Sequence, residues 1–219
     1  MDFESIDVLY KSRLTILKIL KDRGYNIKPY EKFGPFEIEK MASGDKEKAL
    51  NMEVTRELSA ESTMPTVCKV EYALPKVKNR LTGFLRKLLI HDETGEDLID
   101  AKKTEIVVIT METIGDTFHI AALNQWAKKN IRISFFDARA LIINPLEHVY
   151  VPKHEIVPEE KHAELLKTYN MTKKSNLPII RFHEDPIARI LGLVPGSIVE
   201  ITRPSPSAGV YKMYRVCTP

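Results

Sequence analysis

The residues best placed by type and spacing to do chemistry in this chain are the acids Asp92, Glu96, Asp97 and Asp100, the last followed two positions on by Lys102. Carboxylates beside a lysine are the equipment of metal-dependent phosphodiester cleavage, in which the acids hold the metal and the lysine supports the reacting water. That chemistry needs the Asp100-Ala101-Lys102 triplet on a strand that holds both side chains rigidly. Here the polar run from His91 to Lys103 reads as a loop ahead of a strand, so the acids are expected to form a solvated face. The six histidines, His91, His119, His148, His154, His162 and His183, form no H-E-x-x-H and no pair at helical spacing with a nearby cysteine. Cys68 and Cys217 make no C-x-x-C, and Cys68 reads as a small core residue on a strand. No glycine-rich phosphate loop and no G-x-S-x-G elbow is present. We therefore expect no catalytic residue, no metal and no cofactor.

The elements that would have to position such groups form two domains. The first, residues 1–145, opens with a helix from Ser5 to Asp22, in which Ile6, Leu9, Leu14, Leu17 and Leu20 recur near helical spacing and Gly24 supplies the stop. From Lys28 to Met64 the pattern fades into short elements and an exposed charged excursion that includes Asp45-Lys46-Glu47-Lys48. Thr66 to Tyr72 alternates as a half-buried strand, and Leu81, Phe84, Leu85, Leu88 and Leu89 form the apolar stripe of a helix. Ile106-Val107-Val108-Ile109 is a β-branched run suited to a strand covered on both faces. A helix from Thr117 to Lys129, begun by Gly115-Asp116, and a strand from Ile131 to Phe136 complete a strand, helix, strand unit. The spacing predicts an α/β domain with a mixed sheet, followed by a further strand at Leu141-Ile142-Ile143.

The second domain, residues 146–219, reads as a small α+β module. Pro158-Glu159-Glu160 predicts a helix start, with Leu165, Leu166 and Tyr169 facing inward. Asp185 caps a short helix with Pro186 at its first position, and Gly192 closes it above Leu193. Pro195-Gly196 suits a type II turn into a strand from Ser197 to Arg203, and Val210 to Val216 returns antiparallel. At about 70 residues such a module has a marginal core, which a partner surface would help to hold. Arg189, Arg203 and Arg215 can either meet that partner or pair internally with Glu184 and Asp185.

Composition bounds the partners. The chain has 219 residues, 43% hydrophobic, with 33 basic and 30 acidic side chains and a net charge of +3. That balance is too even to hold nucleic acid by bulk electrostatics, so any DNA contact is expected to be local and to depend on a larger assembly. No apolar run approaches membrane-spanning length, and a reducing compartment is the default. No membrane contact and no homo-oligomer are expected.

One ordered set of residues carries a resemblance. Val151-Pro152-Lys153-His154, Glu164-Leu165-Leu166-Lys167, Leu177-Pro178, Asp185-Pro186, Ala188-Arg189, Leu191-Gly192-Leu193, Arg203-Pro204-Ser205, Ala208-Gly209, Tyr211 and Tyr214-Arg215 follow in unbroken order. Together they resemble the C-terminal part of the shared fifth subunit of eukaryotic DNA-directed RNA polymerases, a part that corresponds to a separate small subunit of archaeal RNA polymerase. Leu9, Thr15 and Asp22-Arg23-Gly24-Tyr25 extend the likeness to the eukaryotic subunit's first helix. The resemblance implies a non-catalytic subunit with a nuclease-like N-terminal jaw domain near downstream duplex DNA and a C-terminal assembly domain docked on the largest subunit. The active site of such a nucleotidyltransferase complex would lie in other subunits. On this likeness we expect Lys153, His154, Arg189, Arg203, Ser205, Gly209, Tyr211 and Arg215 to contact the largest subunit. Thr113, Gly115 and Thr117, in a turn leading into a helix N-terminus, are expected near DNA. The setting would be the nucleus for a cellular enzyme, or the virion or viral factory in host cytoplasm for that of a large DNA virus. Two other classes remain open, a free-standing transcription adaptor and a metal-dependent nuclease working through Asp100 and Lys102.

Overall fold

The computed structural model describes residues 3–44, 48–57, 64–90 and 98–219. It divides into two units, Met1–Asn144 and Pro145–Pro219, each with its own four-stranded mixed sheet.

The first unit begins with α1, Phe3–Asp22, which buries Leu9, Ile16 and Leu20 along one stripe and Ile6, Leu17 and Ile19 beside it. Leu14, expected inward, lies on the side away from that stripe and is exposed. Beyond α1 come α2, Pro35–Ser43, and β1, Met52–Thr55, both within the stretch whose sequence pattern is faint. Most of the charged excursion expected there, Asp45 to Glu47, lies outside the described residues; Lys48 is exposed. Next are β2, Val67–Ala73, α3, Leu81–Leu89, β3, Thr104–Thr110, α4, Asp116–Lys129, and β4, Arg132–Asp137. The sheet order is β1-β2-β3-β4, with β1 antiparallel to β2 and β2, β3 and β4 mutually parallel. The helices α3 and α4 are the two crossovers this parallel pairing requires. All seven residues of β3 are buried, as its β-branched run predicts for a central strand. Leu81, Leu85 and Leu89 form the buried stripe of α3. On α4, Phe118 packs its ring 5.1 Å from Phe135 of β4.

The strand expected at Leu141-Ile142-Ile143 does not form. Asp137 ends β4 and its carboxylate accepts from the Arg139 amide at 3.0 Å, which caps a 3-10 turn over Ala138–Leu141. Only Leu141 of the three is buried, so the run lacks the two-sided cover a central strand would give it.

The second unit contains β5, Lys153–Val157, α5, His162–Thr168, β6, Ile179–Arg181, α6, Pro186–Leu191, β7, Ile198–Ser205, and β8, Gly209–Thr218. Its sheet order is β5-β7-β8-β6, antiparallel except where β6 runs parallel to β8. One face packs Leu177, Ile198 and Val216 against Val157, Leu165, Met171 and Tyr214. The short α6 is built as its sequence predicts. The Asp185 carboxylate accepts from the amides of Ile187 at 2.8 Å and Ala188 at 3.4 Å. Gly192 closes the helix at φ +69°, a left-handed conformation that glycine adopts without a Cβ penalty.

Two details of this unit differ from expectation. The helix does not begin at Pro158, which instead precedes a single 3-10 turn, Glu159–Lys161. His162 starts the α-helix and is tied at 3.0 Å to the Val157 carbonyl. Tyr169, expected inward, lies just past the last turn of α5 and is exposed, with its ring 5.6 Å from that of Tyr214.

Candidate docking face of the C-terminal unit

The ladder of the second sheet decides which side chains share a surface. Residues paired across strands point to the same face, and along a strand the faces alternate. His154 pairs with Ile201, Arg203 with Tyr211, Ser205 with Gly209, and Val199 with Arg215. His154, Arg203, Ser205, Gly209, Tyr211 and Arg215 therefore project from one face, the face that buries Val199, Ile201 and Cys217. Of the remaining expected residues, Lys153 pairs with Thr202 and points to the opposite face, where its Nζ lies 2.9 Å from Glu155. Arg189 belongs to α6 and not to the sheet; it is half-buried, and burial lowers its pKa, with Asp185 acting in the opposite sense.

At the far end of the hairpin the face becomes an open tip. Ser205 and Gly209 close a three-residue loop in which the Ala208 amide donates to the Ser205 hydroxyl at 3.3 Å. Gly209 sits at φ +69°, in the left-handed position such loops require. Just inside the tip, the guanidinium carbon of Arg203 lies 5.5 Å from the centre of the Tyr211 ring. Tyr211 is nearly half exposed. At the covered end, Arg215 donates through Nη1 to the Ile179 carbonyl at 3.1 Å. His154 is fixed by a 2.6 Å contact between Nδ1 and the Pro152 carbonyl. The face thus offers an aromatic ring, a guanidinium and a small-residue loop, and the first two are enriched at the centres of protein interfaces. The opposite face is already engaged: Tyr214 donates to Glu200 at 2.7 Å, and Lys212 lies 2.7 Å from the same carboxylate.

In the first unit, Thr113 and Thr117 are exposed and Gly115 stands at the N-cap of α4. No side chain caps that end, and Asp116 in the first turn already supplies one negative charge there. Asp100 and Lys102 lie in the turn before β3. The Asp100 carbonyl accepts from the Thr104 amide at 2.9 Å, and its carboxylate accepts from the Lys102 amide at 3.1 Å. Asp100 is thereby used in closing a turn, not in presenting a strand-held triplet. Asp92, Glu96, Asp97 and His91 lie outside the described residues.

A buried ionic cluster centres on Glu105, which the sequence reading does not single out. Arg23, just past α1, donates to both Glu105 carboxylate oxygens, at 2.5 and 2.6 Å. Arg132 of β4 donates to Glu105 at 3.1 Å, and the Tyr25 hydroxyl at 2.6 Å. Burial by itself would raise the Glu105 carboxyl, but Arg23, Arg132 and the hydrogen bonds overcome it and hold the group down to about 2. Burial pushes the neighbouring Cys68 thiol well up, which suits an inert core residue. A signal does exist in the sequence: Glu105 is a lone charge heading a strand that is otherwise covered, and such a charge needs partners.

Comparison with known proteins agrees with this architecture. Residues 143–217 match the family described as RNA polymerase Rpb5, C-terminal domain. Over both units, the chain is 30% identical to subunit rpabc1 of DNA-directed RNA polymerases I, II and III from Dictyostelium discoideum, across 98% of this chain and 99% of that one. It is 31% identical to the Caenorhabditis elegans subunit RPABC1, covering 95% of this chain and 94% of that one. The archaeal subunit Rpo5 of Pyrococcus horikoshii is 49% identical over 73 residues, which cover 33% of this chain and 87% of that one. These relatives are all named as subunits of DNA-directed RNA polymerases, and the archaeal match takes in most of that shorter polypeptide. The chain belongs to the RPABC1 family, the shared fifth subunit of eukaryotic RNA polymerases.

Proposed function

We propose that the chain works as a non-catalytic subunit of a multisubunit DNA-directed RNA polymerase, with the Pro145–Pro219 unit docking on the largest subunit. The observation that carries this reading is the convergence of His154, Arg203, Ser205, Gly209, Tyr211 and Arg215 on one sheet face. Those residues come from three strands, and their polar identities do not serve the core of so small a module. Phosphodiester chemistry then belongs to other subunits of the nucleotidyltransferase, which fits the use of Asp100 as a turn closer. The first unit would form part of a lower jaw beside downstream duplex DNA, its β2-β3-β4 parallel sheet supplying the nuclease-like frame. Its phosphate contacts would fall at Thr113, Gly115 and Thr117, at the N-terminal end of α4. The setting is the nucleus in a cellular host, or the virion or viral factory in an infected one.

Affinity purification of the tagged chain from its native cells, with quantitative mass spectrometry, tests the reading. Recovery of the two largest polymerase subunits at near-equal stoichiometry is expected. Their absence, with the chain folded, overturns it. A chain carrying Arg203→Glu and Tyr211→Ala should recover those subunits at least roughly tenfold less well. Unchanged recovery would remove the docking face while leaving polymerase membership in place.

A further inference from the structure

The first unit carries a groove that neither the parallel sheet nor the docking face explains. It lies between α2, the segment around β1 and β2, and α3, with a volume of about 830 Å³. Its floor is apolar, formed by Leu50, Tyr72, Pro75 and Phe84 among others. Its rim holds Lys48, Arg80 and Lys87, and among the described residues no acidic side chain lines it. All three cations are exposed, and none of them is held in an ion pair among the described residues. The acid that acts on Lys48, Glu71, lies outside the groove lining and accepts from the Asn51 amide.

The wall on the α3 side is built from Arg80, Gly83, Phe84 and Lys87, one stripe at helical spacing. Gly83 is the odd member. A glycine inside a helix costs up to about 1 kcal/mol relative to alanine. A Cβ at Gly83 would meet nothing within 4 Å, and its backbone is not in the left-handed region. Neither backbone conformation nor internal crowding accounts for it. What the missing side chain does is leave room on the groove side of α3.

We propose that this groove seats an acidic amphipathic peptide segment of another protein. Apolar side chains of the peptide pack on Leu50, Tyr72 and Phe84, one turn of it passes over Gly83, and its carboxylates meet Lys48, Arg80 and Lys87. An apolar floor inside a cationic rim selects a ligand with both characters. Nucleic acid would satisfy the rim but leave the floor uncovered, and a purely acidic tail would do the same. The groove is built wholly from residues of the first unit and uses none of the docking residues, so this inference stands without the polymerase reading.

The test uses the full chain and a fluorescein-labelled synthetic peptide with leucine and glutamate arranged on opposite faces of a helix. Binding is followed by anisotropy and mapped by amide chemical shifts. We expect saturable binding, with shifts concentrated at residues 80–87. Arg80→Glu with Lys87→Glu should weaken it by roughly tenfold or more, and Gly83→Leu, which fills the groove without burdening the fold, should weaken it comparably. The proposal is overturned if polyglutamate of equal charge binds as tightly as the peptide. A single-stranded DNA oligonucleotide that binds more tightly and displaces the peptide also overturns it. So does self-association of the chain that occludes the groove, or a Gly83→Leu chain that binds the peptide undiminished.

Discussion

Arg23 and Glu105, 82 residues apart in sequence, meet through two hydrogen bonds from a single guanidinium nitrogen, and the Glu105 side chain is 2% exposed. The pair joins the end of α1 to the central strand β3, and Arg132 brings β4 into the same contact. One carboxylate therefore sets the position of three elements in the first unit.

Removing that carboxylate strands two guanidinium groups. Glu105→Ala should destabilise the first unit by about 3–5 kcal/mol, the cost of breaking a buried pair from one side. Denaturant unfolding followed through Trp126 in α4 measures it. A loss under about 1 kcal/mol would mean that Arg23 and Arg132 find water instead.

The same carboxyl fixes a pH response. Its folded pKa, about 2, lies below the ordinary carboxyl value of 4.5. A depressed folded pKa means that the unfolded chain takes up the proton first, so the stabilisation is complete above about pH 4.5 and is lost as pH falls toward 2. In urea titrations between about pH 7 and pH 3, Glu105→Gln should show a flatter stability profile than the parent chain. Parallel profiles would count against the pairing.

Arg203 and Tyr211 pair on an exposed tip, where a cation–π contact contributes only about 0.5–1 kcal/mol. Arg203→Ala should therefore lower the melting temperature of the second unit by no more than about 2–8 °C while sharply reducing recovery of the large polymerase subunits. Equal losses in both measurements would make Arg203 a folding residue.

Gly209 is a different case, because its cost is conformational. Nothing lies within 4 Å of a Cβ built there, yet φ is +69°. Gly209→Ala should lower stability by about 1–2 kcal/mol through the left-handed backbone alone. Gly83→Ala, in a helix and equally uncrowded, should raise it. Thermal unfolding of the two variants side by side checks the contrast, and a shift of the same sign in both would contradict it.

For the proposed jaw, Thr113→Glu with Thr117→Glu adds charge at the start of α4 without touching the core. In assembled polymerase it should lower crosslinking to downstream DNA. An unaltered crosslink pattern would remove this turn from the DNA path.

Much of the second unit is legible in its residues because its turns depend on local chemistry. Asp185-Pro186 and Gly192 specify a short helix, and Pro195-Gly196 specifies the turn before β7, with little reference to anything distant. The covered strand β3 is equally plain from Ile106-Val107-Val108-Ile109. What resists reading depends on tertiary context. Ile142 and Ile143 have strand-like identities, but the Asp137 cap diverts the chain before them. Tyr169 continues an apolar stripe that α5 ends one residue too early to use. β1 is four residues long and takes its place only from pairing with β2. The proposed docking residues can be chosen one by one, but the gathering of six of them on a single face, with Lys153 on the other, follows from register that no single strand reveals.

The short strand β6 joins the second sheet only by lying beside residues 216–218 of β8. During synthesis, β6 and β7 leave the ribosome before β8, the strand that lies between them, exists. The four-stranded sheet therefore cannot be completed on a nascent chain until those late residues emerge. A polypeptide interrupted just before residue 216 would keep all six residues of the proposed docking face but leave β6 with no strand to lie beside.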